Sequence, residues 1–234
     1  MMSQEEIITD IAQRALAAPA HDAESNSWLW DRAKRLLRIV RIICDLPELT
    51  QPDLPIDRLC LNAAVYFCHA ALAESDGRKN LKTAKSSLES NRLDSTKISA
   101  RIAAEKLHGH LSEQKINKIS RIILESGNKL TNSNEAKILS DAKNLDDMGI
   151  VGIFSRFRNS SLRGKGPSDV LRSWKKKIDY GYFQARLKES FHFESVKRIA
   201  KRRFELTENF MSRLQDECSA KDILDAVENM FSKT

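Results

Sequence analysis

Between Glu135 and Phe157 the chain reads EAKILSDAKNLDDMGIVGIFSRF, and its apolar residues Ile138, Leu139, Ala142, Leu145 and Met148 recur at steps of three and four. That spacing places them on one stripe of a helix, with Asp141, Lys143, Asp146 and Asp147 projecting from other faces. The same period governs WLWDRAKRLLRIVRIIC at 28–44, where Leu36, Ile39, Val40 and Ile43 form a core-facing stripe. No stretch alternates apolar and polar residues as a half-buried strand does, and no hairpin dipeptide separates two apolar runs. There is no internal repeat. The pattern predicts an all-α fold.

In chain order, a first helix is expected over 3–18, with Ser3 as N-cap and Glu6 at the capping-box position. The segment AAPAHDAESNS breaks it. After the helix at 28–44, the proline-bearing LPELTQPDLP is a stop, because proline disfavours helical backbone in the residue before it. Residues 58–74 contain LNAAVYFCHAALA, apolar on nearly every side, which predicts a central buried helix. Residues 75–97, rich in Ser, Lys and Asn, read as a loop with at most a short helix. Further helices are expected near 98–109, 112–125, 133–149 and 151–158, then a basic linker at 159–168. Helices near 169–189 and 193–216 and a short one from about Ala220 complete the chain.

The 234 residues suffice for one sizeable core, and a single domain over 1–234 is the expectation, its core at about 25–218. A composition of 41% hydrophobic and 30% charged residues excludes the disordered and fibrous classes. Apolar runs such as 63–68 fall far short of the roughly 18 residues a bilayer span needs. The acidic start, MMSQEEIITDIAQ, has no apolar signal region. Four dispersed cysteines, Cys44, Cys60, Cys68 and Cys218, without a CxxC pair, read as reduced thiols. Together these predict a cytoplasmic protein. The net charge of +7 favours phosphate-bearing partners, and the basic segment 156–177, RFRNSSLRGKGPSDVLRSWKKK, is where an anion would be met.

Five segments together resemble the HD-domain superfamily of metal-dependent phosphohydrolases, in particular its small bacterial nucleotide-hydrolysing branch. WDRAKRLLRIV resembles the family's first motif helix, DRLCLNAAVYFCHAAL its central helix, and SARIAAEKLHGHL the helix that follows. EAKILSDAKNLDDMGIVGIFSRF is similar to the branch's most distinctive segment, and SVKRIAKRRFELTENFMSRLQDE to its closing helix. The likeness spans roughly 25–218 and implies a compact helical bundle with the site at its centre.

Members of that family hold a divalent metal with a His, an adjacent His-Asp pair and a later Asp. At the corresponding positions this chain has Arg32, Cys68-His69 and Lys143, and Glu125 stands where a further His is common. Arg and Lys donate hydrogen bonds but offer a metal no lone pair. The expectation is therefore a pseudoenzyme with no catalytic residue, no metal and no cofactor. Its central groups would be Arg32, Cys68, His69, Glu125, Asp141 and Lys143, with Asp31 a further acid. Those charges must be balanced. Either they form a buried ion-pair network, or the cationic pocket binds an anion such as a nucleotide phosphate. Lys143 has Asp147 four residues on as a local partner.

Two alternatives stay open at this stage. One is an active phosphohydrolase with rearranged ligands, drawing on His69, Asp31, Asp141 and Asp146. The other is a nucleic-acid-binding module using 156–177, whose binding would depend steeply on salt. A homodimer follows from family analogy alone. Cys68 reads as a small core residue rather than a nucleophile. His108 and His110, two apart, face opposite sides of a helix and do not suit joint metal binding. Trp28, Trp30, Phe191 and Phe193 read as core or interface aromatics, and His192 as a surface or packing residue.

Overall fold

The structure, a computed structural model, describes residues 2–17, 28–50, 55–73 and 88–231. Among them there are eleven helices of eight residues or more, a further helical stretch at 71–73, and no strand. The helices are α1 (Gln4–Leu16), α2 (Trp28–Cys44), α3 (Arg58–Phe67), α4 (Leu88–Leu107), α5 (Glu113–Glu125) and α6 (Asn134–Asp147). They continue with α7 (Ile150–Ser161), α8 (Pro167–Asp179), α9 (Tyr182–Glu189), α10 (Glu194–Cys218) and α11 (Lys221–Phe231). The chain divides into two compact units, 1–142 and 143–234, and α6 runs through the division.

In the first unit α3 is the hub, packed by α1, α2, α4 and α5. Its residues Cys60, Leu61 and Ala63–Phe67 are all buried, and Arg58 and Asn62, four residues apart, make its narrow polar edge. Asp57 starts it, its carboxylate accepting the Cys60 N–H at 3.0 Å. At α1 the expected capping box forms: Ser3 Oγ accepts the Glu6 N–H and the Glu6 carboxylate accepts the Ser3 N–H. Trp30 stacks on Tyr66 with centroids 5.4 Å apart.

In the second unit α10 packs against α7, α8, α9 and α11. Its core holds Met148, Phe183 and Phe204 with Trp174, Ile178, Leu187 and Phe191, and a second cluster of Ile153, Val170 and Met211. Phe183 lies 4.5 Å from Trp174 and 5.1 Å from Phe204 between ring centroids.

Four expectations are corrected. The helix expected over 58–74 is interrupted after Phe67, where Cys68, His69 and Ala70 form a turn in which Ala70 N–H bonds Phe67 O; helical backbone resumes at 71–73, and the 74th residue lies outside the described residues. Of the loop expected over 75–97, residues 88–97 are helical, the opening of α4; 75–87 lie outside the described residues. The linker expected over 159–168 shrinks to 162–166, because α7 continues to Ser161 and Pro167 opens α8. The helix expected over 169–189 is two helices, broken where Gly181 takes a left-handed φ of 63° that a helix interior does not accommodate.

Candidate functional site

α6 carries the stripe read from sequence, and Ile138, Leu139, Ala142, Leu145 and Met148 are all buried. Asp141 and Asp146, expected on other faces, are buried too, at 0% and 3% exposure. The helix is thus enclosed on more than one side. A carboxylate withdrawn that far from water keeps its charge only if neighbouring groups compensate it, and Asp141 is engaged by groups of the fold.

The other candidate positions are distributed as follows. Arg32 lies partly buried on α2, next to the buried Ala33 and one turn before the buried Leu36, and is engaged by neighbouring groups. Cys68 and His69 share the turn after α3; the Cys68 thiol is buried and donates to Val65 O at 3.2 Å, the bond of a residue closing a helix. Lys143, partly buried and engaged, follows Asp141 by two residues on α6, so the two point to different faces. Glu125 ends α5, with one carboxylate oxygen accepting from Arg121 Nε at 2.6 Å and the other from Thr131 Oγ1 at 2.6 Å. The Thr131 hydroxyl first, and then Arg121, hold its carboxyl below the usual range.

A divalent metal does not fit this set. Arg32 and Lys143 have no lone pair to give, the Cys68 thiol is spent on a backbone carbonyl, and both Glu125 oxygens are bonded. Among the described residues no group of three His, Cys, Asp or Glu side chains is placed to hold a metal ion. His108 and His110 lie beyond the end of α4, both exposed, with His108 Nδ1 at 3.1 Å from Glu113. An open depression of about 520 Å³ on the first unit is lined by Glu5, Glu6 and Asp10 with Arg41 and Tyr66, and includes none of the candidate residues.

Two further polar clusters escaped the sequence reading. In the first unit, Glu135 accepts the Asp57 N–H at 3.1 Å, the Ser133 hydroxyl at 3.1 Å and the Lys118 ammonium at 3.1 Å. Lys118 also reaches Asp57 Oδ2 at 3.3 Å, so one cation ties the start of α3 to the start of α6. In the second unit, Arg186 donates to Asn144 Oδ1 at 3.0 Å and to Asp147 Oδ2 at 3.4 Å, and Asn144 Nδ2 donates to Ser190 O. Arg203 Nη1 donates to Leu145 O at 2.7 Å, satisfying a carbonyl in the last turn of α6. Apart from the Ser133–Glu135 contact, local spacing carries no signal for either cluster, because the partners lie 17 to 78 residues apart.

No protein-family model matches the sequence, nor does any curated protein sequence. Solved structures do match. The Lin1889 protein from Listeria innocua aligns over 93% of this chain and 98% of its own, at 20% identity and a TM-score of 0.58. Bacillus subtilis YpgQ, in a structure in complex with ADP, aligns over 92% of this chain and 94% of its own, at 18% identity and a TM-score of 0.56. A protein described as a predicted HD superfamily hydrolase, from an uncultured Thermotogales bacterium, aligns over 91% of each chain at 16% identity and a TM-score of 0.52. The chain has an HD-domain-like fold. At such identities the HD-like likeness is one of backbone path, and the polar groups described above decide what the chain can do with it. None of its described helices is long and apolar enough to cross a membrane.

Proposed function

We propose that this HD-like chain is a pseudoenzyme that has lost metal-dependent phosphohydrolysis and binds a phosphate-bearing small molecule, a nucleotide being the first candidate, at Arg32, His69 and Asp141 of the first unit. The carrying observation is the donor set: the positions that the resemblance assigns to metal ligands hold two permanent cations, a thiol bonded to its own helix, the single histidine His69 and a carboxylate bonded on both oxygens. The Arg32 guanidinium is a ready-made partner for phosphate oxygens. The ADP complex of the Bacillus subtilis protein supports a nucleotide as the ligand class. The buried Asp141 then serves to balance the Arg32 charge rather than to hold an ion.

The test pairs elemental analysis of protein purified without chelator with a phosphate-release assay over a nucleotide panel with added Mn²⁺, and titration calorimetry with ADP. The proposal expects no stoichiometric metal, no turnover, and ADP binding weakened by Arg32→Gln. Stoichiometric metal with turnover overturns it in favour of a rearranged active site. Absence of ADP binding at millimolar concentration leaves the ion-pair network as the sole role of these residues.

A further inference from the structure

Helices α7, α8 and α9 each bring a cation to one turn of α9. The Arg156 guanidinium of α7 lies over the Phe183 ring, 5.3 Å from its centroid. The Lys177 ammonium of α8 lies over the Tyr182 ring at 5.3 Å, and the two rings meet edge to face with centroids 5.2 Å apart. Arg186 projects from the same helix one turn later, its side chain only 12% exposed.

Charge at this point is out of balance. Arg186 has Asp147 at 3.4 Å, but among the described residues neither Arg156 nor Lys177 has a carboxylate within ion-pairing distance. Burial pushes the Arg156 pKa down and Arg186 pushes it further, with partial relief from Asp147. Burial likewise depresses Lys177, and Arg156 and Arg186 add to the effect. Partly buried like charges repel more strongly than exposed ones, so three cations facing one carboxylate leave two positive charges uncompensated. Cation–π contact with Phe183 and Tyr182 orients the side chains without neutralising them. An arrangement of this kind is completed by a dianion.

We infer that Arg156, Lys177 and Arg186 form a site for a phosphate dianion, the terminal phosphate of a small phosphoester or free orthophosphate. The two guanidiniums supply paired N–H donors that match phosphate oxygens, and Lys177 supplies a point charge. Asn144 and Asp147 hold Arg186 in place from the end of α6. Unlike the exposed Arg163 and Lys165 of the turn, or Arg172, which is paired with Asp169 at 3.1 Å, these cations have among the described residues one ion-pairing carboxylate, Asp147 at Arg186. The inference stands on residues of the second unit and does not require the reading of Arg32.

The experiment is titration calorimetry of the full chain at low ionic strength and pH 8 with orthophosphate and, separately, with ADP. Both should bind, and Arg156→Gln and Arg186→Gln should each weaken binding about tenfold or more, the effect of losing one charge-assisted hydrogen bond. Arg163→Gln should change it less than about twofold, as expected for an exposed charge. Saturating orthophosphate should also slow amine acylation of Lys177, read by peptide mass spectrometry; this readout needs no substitution, so it holds even if an Arg156 variant fails to fold. Binding of orthophosphate alone identifies the free ion as the ligand, and tighter ADP binding identifies a phosphoester. Equal effects of Arg156→Gln and Arg163→Gln, no protection of Lys177, or binding only to a single-stranded oligonucleotide with a steep salt slope would overturn the inference. Loss with Arg156→Gln and none with Arg32→Gln would sustain this site and refute the one proposed above; the opposite result would do the reverse.

Discussion

Gly152 is the position where one added methyl group should do most damage. A Cβ built there would stand 2.1 Å from Asp147 O and 2.6 Å from Asp147 C. An ordinary carbon–oxygen contact is about 3.3 Å or more, so the two helices would have to separate by about 1 Å. The backbone of Asp147 cannot yield freely. Arg203 holds Leu145 O at 2.7 Å, and Asn144 holds Ser190 O at 2.9 Å, both within the last turn of α6. Overpacking against a fixed neighbour costs about 3 kcal/mol, at the upper end of its usual range. Alanine's advantage over glycine inside a helix returns about 1 kcal/mol. The expected net loss for Gly152→Ala is about 2 kcal/mol, or roughly 4–8 °C in Tm for a chain of this size. Gly149→Ala is the comparison: its φ of 103° and ψ of −177° suit only glycine, but the new methyl would meet flexible Arg203 methylenes at 3.3–3.5 Å. Strain of that kind costs about 1–3 kcal/mol. The assay is urea unfolding followed by Trp174 fluorescence in a Trp28→Phe, Trp30→Phe background, which reports on the second unit's core. A Gly152→Ala variant within about 0.5 kcal/mol of the parent would refute the close-approach argument.

Acid should loosen the first unit through Glu135 and Asp57. Burial raises both carboxyls, but backbone N–H groups and Lys118 outweigh it and hold each below its usual value. A depressed folded-state pKa contributes stability that is present above the unfolded value of about 4 and is lost as pH falls through the folded value. Glu135→Gln should therefore flatten the acid limb of the stability curve and cost about 1–2 kcal/mol at pH 7, a figure discounted because Lys118 is 43% exposed; an unchanged acid limb would contradict the network. Phe67→Ala, at a fully buried position of the hub helix, should cost about 3–5 kcal/mol in chemical unfolding, and a loss below about 1 kcal/mol would mean that α3 is not the centre of its unit. Iodoacetamide at pH 8 should label the exposed Cys218 and spare the buried Cys44, Cys60 and Cys68, the Cys60 thiol being pushed up to about 12 by burial and then by Asp57; labelling of Cys60 in the folded chain would contradict its packing.

Periodicity was enough to read α2, α5, α6 and α10 to within a few residues, because each has a clear apolar stripe that must be buried. It was also enough to read the Ser3–Glu6 capping box, which is a contact between near neighbours. It was not enough for the opening of α4, where residues 88–97 carry few apolar side chains, or for the break at Gly181 inside a long periodic stretch. Both depend on backbone choices that a propensity leaves nearly balanced.

The donor chemistry of Arg32, Cys68, His69, Glu125 and Lys143 was a property of the sequence alone, since a side chain's donors and acceptors do not depend on where it folds. That Asp141 and Asp146 are buried, that Lys118 joins Asp57 to Glu135, and that Arg156, Lys177 and Arg186 converge on one turn of α9 were decided by tertiary structure. The reason is physical: burial and charge balance are sums over neighbours brought from distant parts of the chain, and local spacing does not determine those sums.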